Sequence, residues 1–339
     1  MRTRTMLLPA VALTAALTTA FRRRRTALVD VPSDLRHPML YLPLDVTSKV
    51  LPLMRAVRPR PTGLVDGVDA RRLTIPGPEG ADEIPVWVYR PAASNGRTGA
   101  LVWMHGGGYV VGSPEVQHHV CSRLSAELGI VVVSVDYRLA PEHPFPAPLE
   151  DCYAALRWVH THSDELDVDP ARVAVGGESA GGGLAACLAQ LAVDRGEHPV
   201  AFQLLIYPML DDRTVLREDH RGTGRFIWSP RSNRFGWTAY LGRTPHGDAA
   251  PPYAAAARRE DLTGLPPAWI GVGDLDLFHA EDHDYARRLS AAGVPCELHV
   301  APGMYHGADA FVPDARASTA FRGAMTAALS TALTTDQQG

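Results

Sequence analysis

Residues 173–186 read VAVGGESAGGGLAA, and this stretch decides the fold. A short run of valines leads into a Gly-x-Ser-x-Gly turn centred on Ser179, and leucines at helical spacing follow it. A strand, a tight turn and a helix with a serine at the apex are the context of a nucleophile elbow, which exposes the serine hydroxyl. An ordinary glycine-rich turn is the alternative, and the motif by itself does not exclude it.

The rest of the chain indicates an α/β protein. Short apolar runs at residues 100–104, 130–135, 202–207, 268–272 and 297–300 alternate with helical patterns. This alternation predicts a mostly parallel central sheet that is flanked by helices on both faces. Two alternating runs at residues 72–75 and 84–89 surround a turn-rich stretch, so we expect them to pair as a hairpin.

Two segments interrupt this rhythm. Residues 26–65 are broken by prolines and cannot form a core of their own, so we expect them to pack over something else. Residues 209–262 are rich in Arg, Gly and Pro, yet they carry aromatic residues that we expect to be exposed, Trp228 among them. This insertion predicts either a lid over a site or a solvated loop with a small cluster of its own.

Composition and charge limit the possible functions. The 339 residues are 46% hydrophobic and 21% charged, which is typical of a globular chain. A net charge of -4 gives no positive field for nucleic acid, so we expect no such partner. The four cysteines are scattered, and we interpret them as free thiols: Cys121, Cys152, Cys187 and Cys296. Neighbouring histidine pairs lack a third ligand, so we expect no metal.

The N-terminus allows two interpretations. An apolar run at residues 6–21 follows Arg2 and Arg4, as in a secretory signal, but four arginines at residues 22–25 oppose export. Sixteen apolar residues are also short for a membrane span, which needs about 20. We expect residues 1–25 to be a signal-like or loose tail and the protein to be cytoplasmic. Membrane association or export is the alternative if residues 6–21 act as an anchor or signal.

A second glycine-rich motif supports the elbow. His105-Gly-Gly-Gly-Tyr109 follows the strand predicted at residues 100–104, and successive glycines can turn their N–H groups toward a ligand. Such a loop forms the oxyanion hole of lipases and esterases. Active sites of open parallel sheets lie at the carboxyl ends of the strands, where both motifs fall.

Three motifs together resemble the hormone-sensitive-lipase-like branch of the α/β-hydrolases. They are HGGGYVVGS at residues 105–113, DYRLAPE at residues 136–142 and GESAGG at residues 177–182. The resemblance covers roughly residues 65–335. It implies an α/β-hydrolase core at residues 66–208 and 263–335, with a helical cap built from residues 26–65 and the insertion at residues 209–262.

The resemblance also implies a serine carboxylesterase or lipase acting on short- to medium-chain acyl esters, without a cofactor. In this fold the acid and then the histidine follow the serine. His306 matches the family's His-Gly turn and is the predicted base. Asp276 aligns with the family's Asp-Pro-Leu motif, although Leu277 replaces the proline, and Asp274 is the alternative acid. Gly106, Gly107 and Ala180 are the predicted oxyanion donors.

Four further residues are predicted to line the substrate pocket: Gly108, Tyr109, Glu178 and Trp228. Glu178 replaces the aspartate usual in close relatives, and either tunes the pocket or braces it. The same triad would also serve an amidase, a lactonase or a carbamate hydrolase. A non-catalytic ligand-binding protein on the same fold is a further alternative. We expect a small-molecule ester as partner, possible membrane contact by residues 1–25, and a monomer or homodimer.

Overall fold

In the part of the chain that the computed structural model describes, eight strands form one mixed sheet. The described residues are 26–42, 45–57, 61–78, 82–92, 96–247 and 250–334, so the tail predicted at residues 1–25 lies outside them. The strands are β1 (Val68–Ile75), β2 (Ile84–Pro91), β3 (Thr98–Met104), β4 (Val131–Val135), β5 (Val168–Glu178), β6 (Phe202–Ile206), β7 (Ala268–Gly273) and β8 (Cys296–Ala301).

The strand order is β1-β2-β4-β3-β5-β6-β7-β8. Strand β2 is antiparallel to both β1 and β4, and all other neighbours are parallel. The predicted hairpin and the predicted mostly parallel sheet are therefore confirmed. The carboxyl ends of β3, β5, β6 and β7 meet along one edge, and this edge carries the residues discussed below.

Nine α-helices lie within the described residues. They are α1 (Leu51–Ala56), α2 (His118–Leu128), α3 (Ala147–Thr161), α4 (Ser163–Leu166), α5 (Ala180–Arg195), α6 (Pro230–Leu241), α7 (His279–Ala291), α8 (Ala308–Phe311) and α9 (Arg316–Thr334). Single 3-10 turns at Leu28–Asp30, Ser33–Leu35 and Pro38–Tyr41 make up much of the N-terminal segment. Its prolines explain why longer helices do not form there.

Two hydrophobic cores cover the two faces of the sheet. Alternate side chains of each strand point to opposite faces, so Val102 and Val175 contribute to one core while Trp103 and Ala174 contribute to the other. Helices α3, α5 and α7 pack on the first face, and α2 and α9 on the second. The result is a three-layer arrangement that holds the loops at the strand ends in fixed positions.

The insertion at residues 209–262 corrects one expectation. Its aromatic side chains are not exposed, because Phe226, Trp228, Trp237 and Tyr240 are all buried. Helix α6 carries two of them into the first core, where Tyr240 stacks on Tyr109 with ring centroids 4.0 Å apart. The predicted exposure was wrong because the Arg and Gly residues between the aromatics are typical of a solvent-exposed segment.

Candidate active site

Ser179 lies at the sharp turn between β5 and α5. Its backbone has φ +56° and ψ -119°, a conformation that is costly for a residue with a side chain. Glycines make the turn possible, since a Cβ at Gly177 or Gly181 would lie 2.4 or 2.1 Å from the carbonyl oxygen of Met104. The strained turn holds the serine hydroxyl at the carboxyl edge of the sheet, in the nucleophile-elbow geometry.

His306 hydrogen-bonds both Ser179 and Asp276. Its Nε2 is 2.9 Å from Ser179 Oγ, and its Nδ1 is 2.8 Å from Asp276 Oδ2. A carboxylate only accepts, so Nδ1 carries the proton and Nε2 is left to accept from the hydroxyl. The three side chains are almost fully buried, which strengthens these interactions by excluding water.

Asp274, the alternative acid, has a different partner. Its Oδ1 accepts from the backbone N–H of Gly303 at 2.7 Å, in the turn that follows β8. Asp276 also accepts from the backbone N–H of Phe278 through Oδ1, which fixes its second oxygen toward His306. The structure therefore brings Asp276, and not Asp274, to the imidazole. Asp274 stabilises the turn at Gly303, which leads to His306.

The glycine-rich loop after β3 packs directly against the elbow. A Cβ at Gly106 would lie 3.2 Å from the carbonyl oxygen of Glu178 and 3.5 Å from Ser179 Cβ. His105 at the start of the loop is buried and stacks on Tyr137 at 4.3 Å, and Tyr137 Oη donates to its carbonyl oxygen at 2.7 Å. Burial lowers the pKa of His105 to about 4, so it is neutral and serves as a support for the loop.

The middle of this loop can be built only from glycine. Gly107 has φ +127°, and a Cβ there would lie 1.9 Å from the carbonyl oxygen of Val111. Gly108 has φ +61°, and its Cβ would lie 2.1 Å from the Trp228 ring. The other pocket candidate of this loop, Tyr109, lies in the core instead, where its Oη donates to Met209 O.

A cavity of about 450 Å³ opens beside Ser179 and His306. Its wall is mostly apolar and comes from the N-terminal segment, the glycine-rich loop, the insertion and α8. Among its lining residues are Met39, Leu42, Val46, Val50, Met54, Gly106, Gly107, Gly108, Gln117, Glu178, Tyr207, Ile227, Trp228 and Phe311. Three of the four predicted pocket residues therefore line it, and an apolar wall with few polar groups suits a small organic ligand.

Glu178 faces this cavity from the residue before the serine. Its Oε2 accepts from Gln117 Nε2 at 3.2 Å. Burial, together with the neighbouring charge of Asp309, raises the pKa of Glu178 to about 8. Burial also raises the pKa of Asp309, to which the hydroxyl of Tyr207 is hydrogen-bonded. Tyr207 in turn packs edge-on against His306, with ring centroids 4.9 Å apart.

Sequence reasoning missed Gln117, Tyr207 and Asp309. Tyr207 directly follows β6, so the rule that sites lie at strand ends could have found it. Asp309 lies three residues after His306, in the short helix α8. Gln117 gave no signal, because it lies in a 3-10 turn before α2 and reaches the site only through packing.

Known proteins are similar to this chain over most of its length. A family model described as alpha/beta hydrolase fold matches residues 101–310. The chain belongs to the α/β-hydrolase family. This confirms the fold class, and the curated relatives agree with the resemblance to its hormone-sensitive-lipase-like branch. The carboxylic ester hydrolase LipN of Mycobacterium tuberculosis is 41% identical over 260 residues, which cover 75% of this chain and 68% of LipN.

Solved structures of esterases are similar to most of the chain. A bacterial heroin esterase gives a TM-score of 0.83 at 38% identity, covering 90% of this chain and 98% of that protein. The esterase LipW from Mycobacterium marinum gives a TM-score of 0.79 at 33% identity, covering 90% and 97%. These hydrolases share the layer arrangement described above.

No cluster of three or more His, Cys, Asp or Glu side chains in the described ranges could hold a metal ion. None of the helices in those ranges is long and apolar enough to cross a membrane.

Proposed function

We propose that the chain is a serine carboxylesterase that hydrolyses short- to medium-chain acyl esters through an acyl-enzyme intermediate. The observation that carries this proposal is the hydrogen-bonded chain from Ser179 through His306 to Asp276, at 2.9 and 2.8 Å. The names of the relatives, which are carboxylic ester hydrolases and esterases, support it.

In the first step, Ser179 Oγ attacks the ester carbonyl carbon while His306 Nε2 takes its proton. The carbonyl oxygen becomes an oxyanion, which accepts hydrogen bonds from the backbone N–H groups of Gly106, Gly107 and Ala180. Ala180 is the first residue of α5, so the helix dipole adds to this stabilisation. Asp276 stays ionised and stabilises the imidazolium that forms.

The intermediate then collapses to the acyl-enzyme. The bond from carbon to the alcohol oxygen breaks, and His306 gives its proton to the leaving alcohol. Water repeats the sequence, with His306 again taking the proton, and the carboxylic acid leaves as the Ser179 hydroxyl is restored. No cofactor takes part in these steps.

We assign residues 26–65 and 209–262 to a cap over the site. The N-terminal segment supplies Met39 and Val50 to the cavity wall, and the insertion supplies Ile227 and Trp228. The cavity's moderate volume supports an acyl group of short to medium length.

Hydrolysis of a chromogenic acetate or butyrate ester tests this function. We expect Ser179→Ala to lower kcat by about 10⁴- to 10⁶-fold. The matched control is Ser290→Ala, which removes an exposed serine of α7 and should leave kcat unchanged. Equal rates for the wild type and Ser179→Ala would reject the esterase function.

A further inference from the structure

Helix α1 exposes its apolar face. Leu53 and Met54 of α1 and the two residues that flank the helix, Val50 and Val57, follow the spacing i, i+3, i+4, i+7, which places them on one side of it. In chain order, their exposed fractions are 36%, 66%, 37% and 65%. A surface helix normally turns such a face toward the core, so this orientation is inverted.

The opposite side of α1 explains the inversion. Arg55 Nε donates to Val110 O at 2.9 Å and Arg55 Nη2 to Ala140 O at 2.7 Å, while Nη1 pairs with Glu142 Oε1 at 2.8 Å. Leu51 is buried on the same side. These contacts hold the helix with its apolar side outward, so the exposure results from the packing of α1 itself.

The exposed face is continuous with the catalytic cavity. Val50 and Met54 belong both to the exposed face and to the cavity wall. Leu42, which is 50% exposed, also lines the cavity, and Tyr41 beside it is partly exposed. Apolar surface therefore extends from the outside of the cap to the cavity that contains Ser179.

The segment that carries this face is basic in sequence. Lys49, the single lysine of the 339-residue sequence, is exposed directly before the face. No Asp or Glu occurs in the sequence between residues 46 and 65, although the whole chain has a net charge of -4. Asp45, just before this stretch, accepts from Ser229 Oγ and lies 3.5 Å from Arg231. Such a basic and apolar stretch is complementary to an anionic lipid surface.

We propose that α1 docks on an anionic lipid surface through Val50, Leu53, Met54 and Val57, and that esters pass from this surface into the cavity. The second half of this proposal rests on the esterase function proposed above. Lipid covers the apolar face and supplies substrate at the same time. The face is also far smaller than the roughly 20–30 residues a side of a stable protein interface.

Vesicle flotation of the full chain tests the docking, and it needs no catalysis. The probes are vesicles of pure phosphatidylcholine and of equal parts phosphatidylcholine and phosphatidylglycerol. The double variant Leu53→Asp/Val57→Asp changes the face without touching a residue of the cavity wall. The matched control Leu73→Asp/Val193→Asp places the same charges at exposed apolar sites on β1 and α5.

We expect the wild type and the control to float with the anionic vesicles, and the Leu53→Asp/Val57→Asp variant to bind at least about tenfold less. Lys49→Glu should reduce the preference for anionic over neutral vesicles several-fold. All variants should hydrolyse a dissolved acetate ester at the wild-type rate, and this assay separates failure of the docking from failure of the esterase function.

Equal flotation of wild type and Leu53→Asp/Val57→Asp would overturn the proposal, because another part of the chain would then hold the lipid. Absence of flotation for the wild type would also overturn it. A wild type that dimerises through the face in solution, with the dimer lost in the double variant, would identify a second copy as the occupant instead.

Discussion

At the scale of single residues, the site depends on how two neighbouring aspartates are held. Asp276 receives the backbone N–H of Phe278 on one oxygen and His306 on the other, whereas Asp274 receives Gly303 N. The two carboxyl groups are separated by one residue along the chain, yet only one of them can orient the imidazole. Their roles can therefore be separated by matched substitutions.

We predict that Asp276→Asn lowers kcat by about 10⁴-fold. The amide oxygen of the new side chain would still accept from the Phe278 N–H. The amide nitrogen would then donate to His306 Nδ1 and hold the imidazole in the wrong tautomer. Asp274→Asn keeps an acceptor for Gly303 and should change kcat by only a few fold. Steady-state kinetics with a butyrate ester measure both, and the opposite ranking would make Asp274 the catalytic acid.

The sequence could predict these residues only in part. The motifs indicated Ser179 and the two loop glycines Gly106 and Gly107, because glycine-rich turns need specific residues at fixed spacing. The choice between Asp274 and Asp276 required an alignment with the family, since both follow β7. The placement of Tyr109 was wrong because a residue beside a site in sequence can point into the core.

At the scale of elements, the contact between the glycine-rich loop and the insertion shapes the cavity. Gly108 lies so close to Trp228 that no side chain fits between them. The loop belongs to the sheet's carboxyl edge and the tryptophan belongs to the insertion, so this contact sets the position of the insertion beside the site.

We predict that Gly108→Ala destabilises the protein and impairs ester hydrolysis. Its Cβ would displace the Trp228 ring, at a cost of about 1–3 kcal/mol beyond the backbone strain. Gly129→Ala is the matched control, since Gly129 has a similar φ of +64° at the end of α2 but open space around it. It should cost about 1–2 kcal/mol and leave kcat/KM unchanged. Thermal unfolding and kinetics measure both, and equal effects of the two substitutions would contradict this account.

The elements of the sheet and its flanking helices followed from sequence patterns, and those of the N-terminal segment and the insertion did not. Strands buried on both faces have continuous apolar runs that are easy to recognise. The N-terminal 3-10 turns and the packing of α6 depend on tertiary contacts, such as the stacking of Tyr240 on Tyr109. Such contacts leave no periodic signal in the chain.

At the scale of the whole molecule, buried acids link folding to pH. The pKa of Glu178 is raised to about 8 in the folded state, above its ordinary value in an unfolded chain. Between these two values the folded protein holds a proton that the unfolded chain has released. The stability therefore falls as the pH rises through this window.

We predict that the stability of Glu178→Gln relative to the wild type is greater at pH 9 than at pH 5. The amide cannot ionise, so the variant escapes a loss of at most about 1.4 kcal/mol per pH unit. Other buried acids such as Glu281, whose pKa is also raised to about 8, are common to both proteins. Urea unfolding across this pH range measures the difference, and a gap that stays constant would show that Glu178 ionises normally.

The central claim is that Ser179 is the nucleophile of this molecule, and covalent labelling tests it most directly. A fluorophosphonate probe should react once per chain, with Ser179 Oγ attacking phosphorus and fluoride leaving. Peptide mass spectrometry should locate the adduct on Ser179, and Ser179→Ala should remain unlabelled. Labelling of Ser179→Ala at the wild-type rate, or an adduct on a different residue, would contradict the account.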